Sequence, residues 1–485
     1  MSADEIVYEP VIGLEIHIQL ATRTKMFCGC ALSFGEPPNT RTCPVCLGLP
    51  GALPVANAKA IHYGLMIGLA LESQLAPRSI FHRKNYFYPD LPKGYQISQY
   101  DEPLCLGGRL AEVRIHRVHL EEDAAKLIHI GESGRIHASD ASIVDFNRGG
   151  TPLAEIVTEP DLRSAEQAGE WLRLLRTTMR ALGVSDVNME EGSLRCDANI
   201  SLRPAGSEEL GVKTELKNMN SFRFIERGIR AEIARQQKLL GAGERVVQET
   251  LHFDPDSGRI TSLRSKEQAH DYRYFPEPDL VPVAVDGAMI EAAREQMPEL
   301  PAARAERLQR DPAYALDPEV ARTLAFRAEL GDFFELLRGS EGWVGPESAR
   351  VSANLIINEL VPRLGAEVSP ADSKLTPDAL AAIVDALMRK QISIGAARQA
   401  LDVLVAEGGE AHAVIEREGL ASVDDGEELA GIVADAIAAN AAATERIRAG
   451  NAKAIGPIVG FVMRETKGRA DGGEVTRLVH EQLGI

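Results

Sequence analysis

Four separate stretches of this chain alternate ionisable and apolar residues with a period of two, the signature of strands buried on one face only. In Val11 to Leu20 the apolar set is Ile12, Leu14, Ile16, Ile18 and Leu20, so Glu15, His17 and Gln19 project from the opposite face. The same rule groups Asp197, Asn199 and Ser201 in Cys196 to Leu202, and Lys213, Glu215 and Lys217 in Val212 to Lys217. A basic alternating run, Val113 to Leu120, ends in a third acidic cluster, Glu121, Glu122 and Asp123. Any one of them alone reads better as the solvated face of an antiparallel sheet. Taken together, their polar faces hold carboxylates, a histidine and lysines, a candidate site for a divalent metal and ATP.

The 485 residues exceed one ordinary core, so about two to four domains are expected. Up to about residue 290, short strand-like runs alternate with Gly/Pro/Asn/Asp turns. Three stretches there have helical length and periodicity: Ala56 to Leu71, Ser164 to Leu182 and Phe222 to Leu240. After the Pro-rich turn Phe275 to Val283 the composition shifts to Ala, Leu, Glu and Arg, and helical periodicity continues to the end. A Gly-Gly pair breaks it near Glu407 to Glu410, while the Ala-rich stretch Ala434 to Ala443 is a helix signal. The expected class is α+β: a broad, mostly antiparallel sheet with flanking helices (1–293), an all-α domain (294–408) and an all-α tail (409–485).

No apolar run approaches the roughly 20 residues that span a bilayer, and Met1 to Glu5 lacks the basic and apolar regions of a signal peptide, which makes the cytoplasm the expected address. A net charge of −18 disfavours nucleic-acid binding over the whole surface, so any RNA contact must be confined to a local patch. The best such patch is the tail: Arg446, Arg448, Lys453, Arg464, Lys467, Arg469 and Arg477 stand against four acids between Glu445 and Arg477. Cations on a solvated helix face give the same pattern. Cys28, Cys30, Cys43 and Cys46 form C-x-C, twelve residues, then C-x-x-C, a spacing that brings four thiolates into a structural zinc tetrahedron. The alternative is four reduced thiols. Four protein ligands would leave no open position for chemistry.

Two Pro-bounded segments mix aromatic and charged groups: Arg83 to Asp90 followed by Lys93 to Gln96, and Asp271 to Asp279. Tyr86, Phe87 and Tyr88 with Lys84 and Lys93 could stack a base and neutralise phosphate, or fold back on a core. Neither segment matches a phosphate-binding glycine loop or a dinucleotide fingerprint.

The stretches Val11-Ile-Gly-Leu-Glu-Ile-His17, Lys84-Asn-Tyr-Phe-Tyr-Pro-Asp90, His119-Leu-Glu-Glu-Asp123, Glu190 to Ser201, Glu215-Leu-Lys-Asn218 and Asp271 to Leu280 resemble the GatB family of the bacterial tRNA-dependent amidotransferases. In the tail, Asn451-Ala-Lys-Ala-Ile-Gly-Pro-Ile-Val-Gly460, Met463 and Thr466-Lys-Gly468 resemble that family's tRNA-interacting region, so the likeness runs essentially end to end. It implies a glutamine-synthetase-like cradle in the first region and a heterotrimer with an amidase A subunit and a small C subunit. The implied activity is that of a carbon-nitrogen ligase with glutamine as nitrogen donor. ATP phosphorylates the side-chain carboxylate of Asp on tRNA(Asn) or Glu on tRNA(Gln), and ammonia from the amidase then displaces phosphate.

Carried over position by position, the resemblance places Glu15, His17, Glu122 and Glu215 at the magnesium and Asp197 beside them. Lys84 and Lys93, with Glu121 or Glu122, fall where the ammonia channel opens, and Tyr86, Tyr88 and Asp90 fall near the acceptor end of the tRNA. The joint expectation is that Glu15, His17, Glu122 and Glu215 lie within coordination reach on one concave surface. Two other readings remain: an ATP-dependent ligase for a free small acid, which the basic tail disfavours, and a tRNA-binding scaffold whose polar strands are merely wet. The archaeal counterpart, with its extra inserted domain, is set aside because the strand-rich region passes directly into the helical one.

Overall fold

The computed structural model describes residues 6–33, 35–130, 141–255, 257–265, 272–364, 369–421, 426–449, 451–466, 469–470 and 472–485. The chain divides into two units, Met1–Leu300 and Pro301–Ile485.

The first unit is built on one wide sheet. Its strands lie in the order Ile260–Ser265, Glu249–Phe253, Thr214–Met219, Leu194–Pro204, Tyr8–Gln19, Pro152–Thr158, Val113–Glu122, Cys105–Leu106 and Gln74–Leu75, with Arg109–Leu110 also on the Val113 strand. Every pairing is antiparallel except that of Thr214–Met219 with Glu249–Phe253. The sequence alternation becomes two faces. Ile12, Leu14, Ile16 and Ile18 are at most 1% exposed, in register with Ala198 and Ile200 on one side and Ala154 and Ile156 on the other. Burial of each such side chain contributes about 2 kcal/mol, which is what pins the register: a one-residue slip would turn the whole apolar set outward.

Helices cover that apolar face. Ala58–Ala70, Ala165–Ala181 and Phe222–Gly241 start where the sequence places them, because Asn57, Ser164 and Ser221 accept hydrogen bonds from first-turn amides. Phe222–Gly241 packs on the Leu194–Pro204 strand, and its buried Glu232 and Gln236 bond Thr214 Oγ1 from below, while Gln236 also donates to the Ile200 carbonyl. A separate three-stranded sheet, Phe275–Pro276 with His82–Asn85 and Tyr95–Ser98, brings the two aromatic segments together.

The second unit is helical, giving the α+β class as expected. One apolar cluster runs from Leu308 to Leu420, and another from Leu429 to Val479. The Gly408-Gly409 break ends the helix Ile394–Glu407 with both glycines at positive φ, yet Ala411, Val414, Ile415 and Leu420 beyond it belong to the first cluster. The Ala-rich stretch is two helices, Gly426–Ala439 and Ala441–Arg448, because Asn440 Nδ2 donates back to the Ala436 carbonyl and the backbone leaves helical angles there. No helix among the described residues is long and apolar enough to cross a membrane.

Candidate active site on the polar face of the sheet

Register assembles the site. His17 lies opposite Arg195 on one side and Glu155 on the other, and Glu155 lies opposite His119, so four adjacent strands place Arg195, His17, Glu155 and His119 in one lateral row. Glu121, two residues on from His119, shares its face. His17 Nε2 lies 3.5 Å from Glu155 and 3.6 Å from Glu121, and His119 Nε2 lies 3.0 Å from Glu155. Ser98 Oγ donates to Glu121 at 3.0 Å from the smaller sheet. His17, Glu121 and Glu155 offer ligand atoms that all lie within 4.8 Å of one another.

Burial opposes protonation of His17, but the hydrogen bond and charge of Glu155 and the charge of Glu121 outweigh it and raise its pKa to about 9. Burial likewise pushes the Glu155 carboxyl up, and the charges and hydrogen bonds of His119 and His17 overcome it, holding Glu155 well below the usual carboxylate range. The cluster is therefore organised around positive charge. At the end of the row, Asp123 is buried yet kept ionised by Arg195 at 2.8 Å and by Arg148, and accepts from Gln19.

The row continues toward the sheet edge. Glu15 pairs with Asp197 in register, and Asn199 with Glu215. Asn199 Nδ2 donates to Glu15 at 2.9 Å, and Thr250 Oγ1 to Glu215 at 3.0 Å. A register shift between Cys196 and Ala198 falls at Asp197, the kind of irregularity that re-aims a side chain. Lys217 Nζ there reaches Asp197 at 2.6 Å and Glu215 at 2.8 Å. Burial disfavours its charge, but these two carboxylates win and raise its pKa.

The expected quartet does not converge. Of Glu15, His17, Glu122 and Glu215, only His17 belongs to the close cluster, and Glu121 and Glu155 take the other places. The reason is parity: Glu122 follows Glu121 on a strand and so points to the other face. There it accepts from the Ile97 amide at 3.0 Å and forms an ion pair with Lys93. Lys84 goes the other way, its ammonium stabilised against burial chiefly by Glu121 and standing 4.9 Å from the Tyr272 ring. The two lysines expected at one channel mouth thus attend two different carboxylates. Tyr86 packs edge-on against Tyr272, and Tyr272 against Tyr274, which stacks on Tyr100 at 4.2 Å. Tyr88 and Phe87 are exposed, and burial raises the Asp90 carboxyl.

The thiol groups of Cys28, Cys30, Cys43 and Cys46 also lie within 4.8 Å of one another, a closed set suited to a tetrahedral soft metal. A hydrogen bond from Cys28 holds the Cys46 thiol far below its ordinary value, and the same bond pushes Cys28 up. In the tail, Arg446, Arg448, Lys453 and Arg464 are exposed, and Arg469 donates to the Thr466 carbonyl. Arg477 is neutralised by Glu474 and Glu481, and Lys467 lies outside the described residues.

Residues 10–291 match the GatB/GatE catalytic domain, and residues 341–483 match the GatB domain. The chain is 48% identical to the B subunit of the aspartyl/glutamyl-tRNA(Asn/Gln) amidotransferase of Anaeromyxobacter dehalogenans (strain 2CP-1 / ATCC BAA-258), covering 98% of this chain and 99% of that one. The same-named subunits of Thermobifida fusca (strain YX) and Persephonella marina (strain DSM 14350 / EX-H1) are 47% and 45% identical, over 100% and 98% of this chain and 96% and 99% of theirs. This chain belongs to the GatB/GatE family.

The catalytic-domain match contains the whole polar row, including three members, Arg195, His119 and Glu155, that the sequence candidates leave out. Glu155 sits in Pro152–Thr158, an almost wholly apolar strand, where a lone carboxylate was itself the available signal. His119 stands two residues before Glu121, and only same-face spacing on the Val113–Glu122 strand joins them.

Proposed function

We propose that this chain is the component of a tRNA-dependent amidotransferase that activates the side-chain carboxylate of Asp on tRNA(Asn) or Glu on tRNA(Gln) and converts it to the amide. The observation that carries the reading is the row Arg195, His17, Glu155, His119 with Glu121, continued by Glu15, Asp197 and Glu215 across adjacent strands. A carboxylate is a poor electrophile, and transfer of a phosphoryl group from ATP gives it a good leaving group. The donor set fits a divalent cation such as magnesium: His17 and the carboxylates of Glu121 and Glu155 would hold it, while Glu15, Asp197 and Glu215, outside that close cluster, extend the acidic face along the sheet. Bound there, magnesium supplies the counter-charge that the transferring phosphoryl group requires.

The remaining roles fall to this chain's own side chains. Lys217, Arg195 and Lys84 supply the fixed positive charge for phosphate oxygens on the same face. Glu122 and Lys93 sit on the opposite side of the same strand end, where a carboxylate can take a proton from arriving ammonium and leave neutral ammonia as the nucleophile. The ammonia comes from glutamine hydrolysed by an amidase A subunit, in a heterotrimer completed by a small C subunit. The acceptor end of the tRNA lies by Tyr86 and Tyr88, and its phosphates meet Arg446, Arg448, Lys453, Arg464 and Arg469. The four cysteines hold a structural zinc. The cytoplasm, where tRNA is charged, is the working compartment.

Glu155→Gln keeps the shape of the buried row and removes its charge. In the assembled enzyme it should lower ATP-dependent amidation about a hundred-fold or more while glutamine hydrolysis stays measurable. Amidation at the normal rate would remove the row from the mechanism.

A further inference from the structure

The cysteine knuckle and the Lys93–Glu122 pair line one cavity of about 130 Å³, Cys28, Cys46, Gly48 and Lys25 on one side and Lys93, Tyr95, Glu122 and Asp279 on the other. From this juxtaposition we infer that the metal-bound knuckle positions Lys93 against Glu122, acting on a group in the candidate ammonia path rather than merely stiffening a loop. The inference rests on the zinc reading of the four cysteines, and only its functional consequence rests on the ammonia role.

Two contacts carry it. Gly48 closes the turn after Cys43-Pro-Val-Cys46 at φ +66°, its amide bonded to the Val45 carbonyl, and a Cβ there would overlap Lys93 Cγ and lie 3.2 Å from Lys93 Cα. The turn that presents two of the thiols therefore lies directly on the Lys93 backbone and stem. The second contact reaches the other member of the pair. Lys25, 1% exposed, donates to the Phe146 carbonyl at 3.0 Å and lies 3.7 Å from Cys46 Sγ, a buried cation placed to balance thiolate charge. Gly150 packs on it, a Cβ there lying 3.2 Å from Lys25 Cδ, and the Gly150 amide donates to the carbonyl of Asp123, the neighbour of Glu122. Knuckle, Lys93 and the Glu122 strand end form one packed unit. A site with four protein thiolates has no open coordination position, so its contribution to the reaction is where it puts its neighbours.

The full chain is treated with acetic anhydride, and acetylation of Lys93 is followed by mass spectrometry against the exposed Lys59 in the same molecule. Lys93 should react slowly in the zinc-loaded protein. Stripping zinc with a chelator, or Cys43→Ser, should raise its rate about ten-fold with Lys59 unchanged, and Gly48→Ala should do the same while retaining one zinc per chain. Slow Lys93 acetylation in metal-free protein that keeps its far-ultraviolet circular dichroism would overturn the inference, as would an unaltered rate in folded Gly48→Ala. In the assembled enzyme, Gly48→Ala should also lower the amide formed per glutamine hydrolysed. A raised acetylation rate with that ratio unchanged supports the positioning of Lys93 and overturns its role in ammonia delivery.

Discussion

Glu155 lies between two imidazoles, and His17 between two carboxylates, so each group's charge depends on the others. For His17 the folded pKa of about 9 stands above its ordinary 6.5, so the stabilisation it provides is complete below about pH 6.5 and is lost as pH rises through about 9. In the metal-free chain, the pH-dependent part of the destabilisation caused by His17→Asn should be about 3 kcal/mol near pH 6 and should vanish near pH 10, as read by urea unfolding. A difference that does not change with pH would mean that His17 keeps its ordinary pKa in the fold. The same residues show where sequence reasoning reached its limit. Alternation put Glu15 with His17, and Asp197 and Glu215 each on the polar face of its own strand, because a period of two is visible in a single strand, and only the family resemblance joined those strands into one site. Choosing between Glu121 and Glu122 required knowing which of two adjacent carboxylates the strand turns inward, and Glu155 carried no alternation at all.

At the level of elements, the three long helices of the first unit and the strands that bear the site were legible, because capping residues and one-sided burial are local signals. The smaller sheet was not. Its strand His82–Asn85 begins the aromatic segment and finds its partners in Tyr95–Ser98 and in Phe275–Pro276, almost two hundred residues away, a pairing that no local pattern encodes. The helix Phe222–Gly241 also has a role that amphipathicity alone does not reveal. Its Glu232 is fully buried and accepts from Thr214, Gln236 and Arg235, fastening the strand that carries Glu215 and Lys217 to the layer beneath. Glu232→Ala strands those donors and should cost about 3 kcal/mol in chemical denaturation, against a much smaller loss for Glu291→Ala on an exposed helix. Equal losses would mean that the buried network adds nothing.

Across the whole molecule, a chain of net charge −18 keeps Arg446, Arg448, Lys453 and Arg464 exposed within one short stretch of its last segment. Replacing Arg446 and Arg448 by Glu should weaken tRNA binding and reduce the slope of log affinity against log salt by about 2, provided each cation neutralises one phosphate. An unchanged slope would place the RNA elsewhere. The change from sheet to helix near residue 290 was readable from composition. The extent of the helical cores was not, since the Gly-Gly pair marks the end of a helix while the apolar cluster continues to Leu420.

The end of the Val113–Glu122 strand has a further consequence for how this chain can change over time. Glu121 and Glu122 are consecutive, yet they face two chemically different spaces, one with histidines and acids, the other with Lys93 and the cysteine turn. Insertion or deletion of a single residue within that strand would send each of them to the other's side and turn the strand's apolar residues Val118 and Leu120 onto the polar face, whereas a change of two residues would preserve their sides. Relatives that retain the activity should therefore differ in length here only by even numbers, a parity rule that counting residues across related chains can check.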